Sequence, residues 1–317
     1  MDILANLLNG MLVFSTALIF AALGGMLSER VGVTNIGIEG FMVSGAFASA
    51  VTAYYAEQSG MGALTPWLGL LGAFIFTLIF SGIHAIATLK YHADQVVSGV
   101  VINMLATSST FFLVKMIFAG SAETPIITHV LKKIRIPILS DLPFVGKVLF
   151  NAYPTTYLAF LLVGLLFFIF FRTPLGLRLR VIGENPSAAA TAGVNVMKIK
   201  YISVLLSGSI AALGGATIVL TSNSNFAFNT ISGQGYIALA AVIFGRWHPV
   251  GVMAGALFFG LAQAIKDQFQ IFDFAAAIPN EFFYMLPYLL TLIVLLIAGG
   301  KTKAPSALGE HYDVGKR

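Results

Sequence analysis

Cysteine is absent from all 317 residues. That excludes disulfides, thiolate metal sites and thiol nucleophiles together. Charge is scarce as well: Asp, Glu, Lys and Arg make up 10% of the chain, against about 25% in a soluble globular domain. The five histidines, His84, His92, His129, His248 and His311, are scattered without metal-ligand spacing. Neither an H-E-x-x-H nor a G-x-S-x-G pattern occurs. Gly299-Gly300-Lys301-Thr302 echoes a phosphate loop, but Leu295 stands where that loop needs its first glycine, and an apolar run precedes it rather than a strand. No catalytic residue, metal or cofactor is therefore expected. The net charge of +5 does not indicate nucleic-acid binding, because the basic residues sit at the ends of apolar runs.

What the chain has instead is grease. It is 58% hydrophobic, with a mean hydropathy of +0.90. Several runs reach the ~20 residues needed to cross a bilayer. The expected fold is all-α, a polytopic membrane protein of about 8–10 transmembrane helices, some of them broken. Nine spans can be drawn, at 6–27, 33–56, 66–89, 96–118, 152–171, 201–221, 235–245, 249–266 and 282–299. The seventh is too short for a regular crossing and fits either a half-helix or one part of a crossing combined with the polar segment before it. The first run has no basic region before it and many spans after it, so it is not read as a signal peptide.

Charge sorts these spans. With 172–200 placed in the cytoplasm, 12 of the 18 Lys and Arg fall inside, five fall outside, and Lys115 lies near an outer end. The expected localisation is a bacterial cell membrane, with the N-terminus outside and the C-terminus cytoplasmic. Residues 1–317 form one transmembrane domain. Its parts include an external loop at 119–151, holding four of the five outer cations, and a cytoplasmic tail at 300–317.

The stretch from Phe171 to Tyr201 is the one long polar interruption in the second half. It holds Arg172, Arg178, Arg180, Lys198 and Lys200 against Glu184 alone. Gly183-Glu184-Asn185-Pro186 is followed by Ser187, three alanines and Gly193, a pattern for a turn feeding a short helix. Asn185 is placed to cap it, and Pro186 suits the first helical position. Two readings fit: a plain positive-inside loop, or an ordered surface on which another protein docks. The residue order PLGLRLRVIGENPSAAATAGVNV resembles the cytoplasmic coupling loop of ABC-importer permeases, the family serving branched-chain amino acids, simple sugars and nucleosides. The resemblance implies a type II permease fold and assigns ATPase coupling to Gly183, Glu184, Asn185, Pro186, Ala189 and Gly193.

A second segment, Glu29 to Met42, places Asn35 and Glu39 four apart, on one face if the segment is helical. Gly32, Gly37 and Gly40 weaken a helix there. With Arg30 at the cytoplasmic boundary, Glu39 lies roughly 13 Å into the membrane core. Such a carboxylate either lines a pathway or is paired, protonated or capping a half-helix inside the bundle. Asn103 lies eight residues, about 12 Å, beyond Gln95 and reaches a similar depth. It fits interhelical hydrogen bonding or substrate contact. Both ERVGVTNIGIEGFM and Ala93-Asp94-Gln95 through Asn103 resemble the nucleoside branch of the same family, whose receptors are basic-membrane-protein-type lipoproteins. The resemblance covers roughly 20–118 and 172–265.

Asn35–Phe41 also parallels Thr230–Tyr236, with Ile, an acid or amide, Gly and an aromatic in register, as in an inverted repeat. The uncharged outer stretch 221–228 offers amides and aromatics. It serves either as a surface for a nucleobase or as a re-entrant turn. The candidate pathway set is Asn35, Glu39, Asn103, Asn225, Phe226 and Gln234.

The expected function is the membrane subunit of an ATP-driven nucleoside importer. By resemblance its partners are an ABC ATPase subunit, a second homologous permease forming a heterodimer, an extracellular substrate-binding lipoprotein, and membrane lipid. The alternative is an ion-coupled secondary transporter of small polar solutes, with Glu39 as its proton or cation site.

Overall fold

The computed structural model describes residues 2–135, 150–269 and 303–313, with isolated positions at 137, 146, 148, 282, 285, 289, 292 and 293. Apart from those positions, the expected ninth span, residues 300–302 and 314–317, and most of 136–149 lie outside the described residues.

The chain forms ten helices among the described residues: α1 (Asp2–Glu29), α2 (Ile38–Gln58), α3 (Thr65–Ala85), α4 (Gln95–Ile117), α5 (Pro154–Arg172), α6 (Pro174–Glu184), α7 (Pro186–Thr191), α8 (Val196–Ile218), α9 (Gln234–Phe244) and α10 (Pro249–Phe269). Wider turns extend α3 to Lys90 and α8 to Asn223. The described strands β1 (Ile134–Arg135) and β2 (Asn151–Ala152) pair antiparallel. Local chemistry sets the starts. Pro154, Pro174 and Pro186 each open a helix where a missing N–H costs nothing. Asp94, Thr173, Asn185 and Asn195 each accept a backbone N–H two or three residues into the following helix.

Six helical stretches, Leu4–Glu29, Gly62–Lys90, Gln95–Ile117, Pro154–Arg172, Val196–Asn223 and Pro249–Gln268, are long and apolar enough to cross a membrane. α2 is long enough but less apolar, and the reason is its position. Every residue from Ile38 to Ala50 is buried, so this helix meets protein on all sides, including α3, α4, α8 and α9. A helix shielded from lipid needs small residues for close packing more than it needs grease. A Cβ at Gly45 would lie 2.6 Å from the Ala212 Cα, and one at Gly215 would collide with the Met42 carbonyl. The outer helices carry the exposed apolar residues, such as Leu71 and Ile75 on α3, Val101 and Met104 on α4, and Leu161 and Leu165 on α5.

Two expectations change. The second span begins as a helix only at Ile38, because 30–37 is unwound, with Gly32 at a φ of +80°. Asn35 and Glu39 therefore do not share a helical face. The segment 172–200 is not mainly a loop. Arg178 and Arg180 lie on α6, while Lys198 and Lys200 lie on the first turns of α8. Gly176, Leu179, Ile182 and Gly183 supply the buried face that makes α6 a helix.

Candidate functional site

Two unwound stretches lead into buried helix starts, 30–37 before α2 and 224–233 before α9. The two helix starts meet. The Gly233 N–H donates to Glu39 Oε1 at 2.7 Å, and the Gly235 N–H to Glu39 Oε2 at 2.6 Å. The first turn of any helix leaves backbone N–H groups without intrahelical acceptors. α9 has no side-chain cap of its own, and Glu39, more than 190 positions away in sequence, supplies one. The carboxylate also sits in the first turn of α2, so it meets the positive ends of two helix dipoles. Hydrogen bonds to a charged group contribute about 1.5–3 kcal/mol each. The approach is close because Gly235 lacks a side chain: a Cβ there would lie 2.5 Å from the Glu39 Cα.

α4 stitches the junction from the side. The Asn103 Oδ1 accepts the Gly40 N–H at 2.8 Å, and its Nδ2 donates to the Ile36 carbonyl at 3.0 Å and the Tyr236 hydroxyl at 3.1 Å. Gln95 Oε1 accepts the Thr34 N–H at 2.6 Å. Gly99 lies midway, where a Cβ would come within 2.9 Å of the Gly37 nitrogen. Gln95, Gly99 and Asn103 are four apart, so one face of α4 covers the unwound segment. Asn35 is fully buried, and its Nδ2 donates to the Ser207 hydroxyl of α8 at 2.7 Å.

Glu39 and Asn103 are 9% and 7% exposed, whereas Tyr236 beside them is 50% exposed. Its ring is the open edge of the junction. Unwound backbone at membrane depth is stable only inside protein or along a water-filled cavity.

The structure brings Asn35, Glu39, Asn103 and Gln234, the first residue of α9, into one neighbourhood. It does not bring Asn225 and Phe226 there. Asn225 Nδ2 donates to Glu123 at 3.1 Å in an exposed loop pair. Phe226 is buried, with its ring 5.8 Å from that of Phe47. Phe47 is eight residues along α2 from Glu39, roughly 12 Å away. A ring packed on both sides has no free face for a base. Tyr236, Gln95, Gly99 and Ser207 belong to the junction and were not among the candidates. The four-residue spacing in α4 was the signal for two of them.

At the other candidate site, α7 is capped as its residue order predicts. Asn185 Oδ1 accepts the Ala188 N–H at 2.9 Å. Gly193, at a φ of +79°, ends the helix, with Val194 N–H reaching back to the Ala189 carbonyl at 3.1 Å. Ala189 is buried, whereas Ser187, Ala188 and Thr191 are exposed. Gly183 packs where any side chain would strike the Arg30 carbonyl. Arg30 Nε donates to the Trp247 carbonyl at 2.6 Å, and the Trp247 indole N–H donates to Glu29 Oε2. This clamp ties the end of α1 to the left-handed turn at Arg246 and Trp247 that follows α9. Burial pushes the Arg30 guanidinium below its ordinary value, while the nearby Glu184 carboxylate pulls it the other way.

The tail 303–313 lies against this end. Ser306 donates to the Glu184 carboxylate from its hydroxyl at 2.8 Å and its N–H at 3.3 Å. The Ala307 N–H donates to the Gly183 carbonyl at 2.9 Å, and the Gly309 N–H to the Gly32 carbonyl at 3.3 Å.

Residues 6–295 match the family described as the branched-chain amino acid transport system permease component. The guanosine ABC transporter permease protein NupQ of Bacillus subtilis (strain 168) is 46% identical over 317 residues, spanning 100% of this chain and 99% of its own length. The nucleoside ABC transporter permease protein NupC of Lactococcus lactis subsp. cremoris is 40% identical over 304 residues, 95% of each chain. A solved structure described as an inward-facing conformation of a metal-chelate type ABC transporter aligns with a TM-score of 0.51. It covers 93% of this chain and 85% of its own at 16% identity, a likeness of fold alone. With a match over nearly its whole length and relatives similar from end to end, the chain belongs to the branched-chain amino acid transport system permease family.

Proposed function

We propose that this chain is one membrane subunit of an ATP-driven importer of nucleosides, and that it forms half of the translocation pathway. The observation that carries the substrate class is the end-to-end similarity to permeases named for guanosine and for nucleosides. In this reading Glu39, Asn103 and Gln234 frame the pathway and Asn35 holds the frame to α8. Tyr236 offers the open aromatic edge that a purine or pyrimidine ring can stack on. A second homologous permease closes that edge from across the dimer. The capped helix α7, with Glu184, Asn185, Pro186, Ala189 and Gly193, seats the ATPase, and Gly183 lets this segment lie against Arg30. An extracellular lipoprotein delivers the nucleoside.

The orientation follows from charge. The end bearing α6 and α7 is cytoplasmic by the excess of Lys and Arg. The tail's hydrogen bonds to Gly183 and Glu184 support a C-terminal segment on that same face. ATP binding then favours one of two arrangements of a bistable bundle and switches access between faces.

The geometry disfavours the ion-coupled alternative. Both oxygens of the Glu39 carboxylate are occupied by backbone N–H groups at the meeting of two helix starts, where they serve as the cap of α9. Protonating it in each cycle would break the cap of α9. The test is uptake of labelled guanosine into cells carrying the complete transporter, with and without this chain. Loss of uptake without the chain is expected, and unchanged uptake would overturn the substrate assignment.

A further inference from the structure

The C-terminal tail is wedged between two segments far apart in sequence. Ala307 is 2% exposed. Its N–H donates to Gly183, at the end of α6. On the other side its carbonyl presses on Gly32, where a Cβ would lie 2.7 Å away and where the backbone holds a φ of +80°. Successive turns, Leu308 N–H to the Pro305 carbonyl at 3.0 Å and Glu310 N–H to the Ala307 carbonyl at 3.2 Å, keep the tail compact. The His311 ring meets that of His92 edge-on at 5.3 Å, just before α4. Beside the tail opens a cleft of about 610 Å³. One wall is the start of α7, with Glu184, Asn185 and Ser187; the other is the tail, with Ser306, Glu310 and His311.

We propose that residues 305–312 are the second half of the surface on which the ATPase subunit seats, beside α7. The proposal rests on reading the chain as an importer subunit. A protein that covers the exposed face of α7 also covers the cleft, because the two share a wall. Among the described residues the cleft offers the Glu184 and Glu310 carboxylates and no Lys or Arg, a lining that suits hydrogen-bond donors or positive charge, as an arginine or lysine of the ATPase would present. The tail also gives the ATPase a second lever. Its bonds run from Glu184 and Gly183 through Ser306, Ala307 and Gly309 to Gly32, two residues before Thr34 and the junction that Gln95 and Asn103 stitch.

The test is site-specific photo-cross-linking in the full chain within the intact complex. A benzoylphenylalanine replaces Ala188, His311 or, as a control at the far end of α2, Ser59, all exposed. The captured polypeptide is identified by mass and by labelling with azido-ATP. Capture of the ATP-labelled subunit from both Ala188 and His311, and not from Ser59, is the expected result. Capture from Ala188 alone overturns the composite surface and leaves the importer reading standing. Capture of the second permease, or of no protein, from His311 has the same consequence. Capture of the ATPase from neither position overturns the docking role of this face altogether.

Discussion

Glu39 shows how one residue can look like chemistry and serve architecture. Its two carboxylate oxygens accept two N–H groups of the other broken helix. Glu39→Gln keeps the shape but turns one acceptor into a donor that faces an N–H, at a cost of about 1–3 kcal/mol for the group left unsatisfied. Glu39→Leu strands both. We expect Gln to lower the thermal stability of the purified complex while retaining most uptake, and Leu to abolish uptake. Equal, complete loss in both would point to the charge itself. Tyr236 separates ring from hydroxyl. Tyr236→Phe loses only the bond from Asn103, whose Nδ2 still has the Ile36 carbonyl, a change of about 0.5–1.5 kcal/mol. We expect Phe to transport nearly as well as Tyr and Leu to raise the nucleoside concentration needed for half-maximal uptake. If Phe and Leu fail alike, the hydroxyl rather than the ring carries the role.

Among the elements, the short ones divided most sharply between legible and hidden. α7 was legible because its signals are local: Asn185, Pro186 and Gly193 act within a few residues. The break before α2 was legible from its glycines, and the half-length of α9 from its short apolar run. The parallel between 35–41 and 230–236 also pointed to two segments that the structure packs together, with helix starts one residue apart in that alignment. The partnership itself was hidden. Asn35 and Glu39 looked like neighbours on a helix, but each bonds to residues more than 170 positions away, and no local spacing encodes that. The cations of α6 read as a loop, although Gly176, Leu179 and Ile182 recur at helical spacing. At this scale the proposed docking role of α7 gives a direct expectation. Glu184→Arg with Pro186→Leu reverses the charge that holds Ser306 and loosens the start of α7. Uptake should be lost while the complex still hydrolyses ATP and reaches the membrane. Normal uptake by the double variant would remove coupling from this segment.

Across the whole molecule, hydropathy made the membrane fold plain, because six stretches are long and apolar. It undervalued α2, whose small and polar residues suit a helix surrounded by protein. Orientation is testable without background, since the native chain has no cysteine. Ser59→Cys should react with an impermeant thiol reagent added to intact cells, and Ser187→Cys should react only after the membrane is opened. Both side chains are exposed, so the reagent reaches them wherever they face solvent. The reverse pattern would invert the topology.

The central claim is that ATP, and not an ion gradient through Glu39, drives transport. It is tested most directly by following labelled guanosine uptake while the proton gradient is collapsed by an uncoupler and cellular ATP is held constant. ATP-driven import predicts that uptake continues under those conditions and stops when ATP is depleted with the gradient intact. Uptake that falls with the gradient at constant ATP would contradict it and return Glu39 to the role of a proton site.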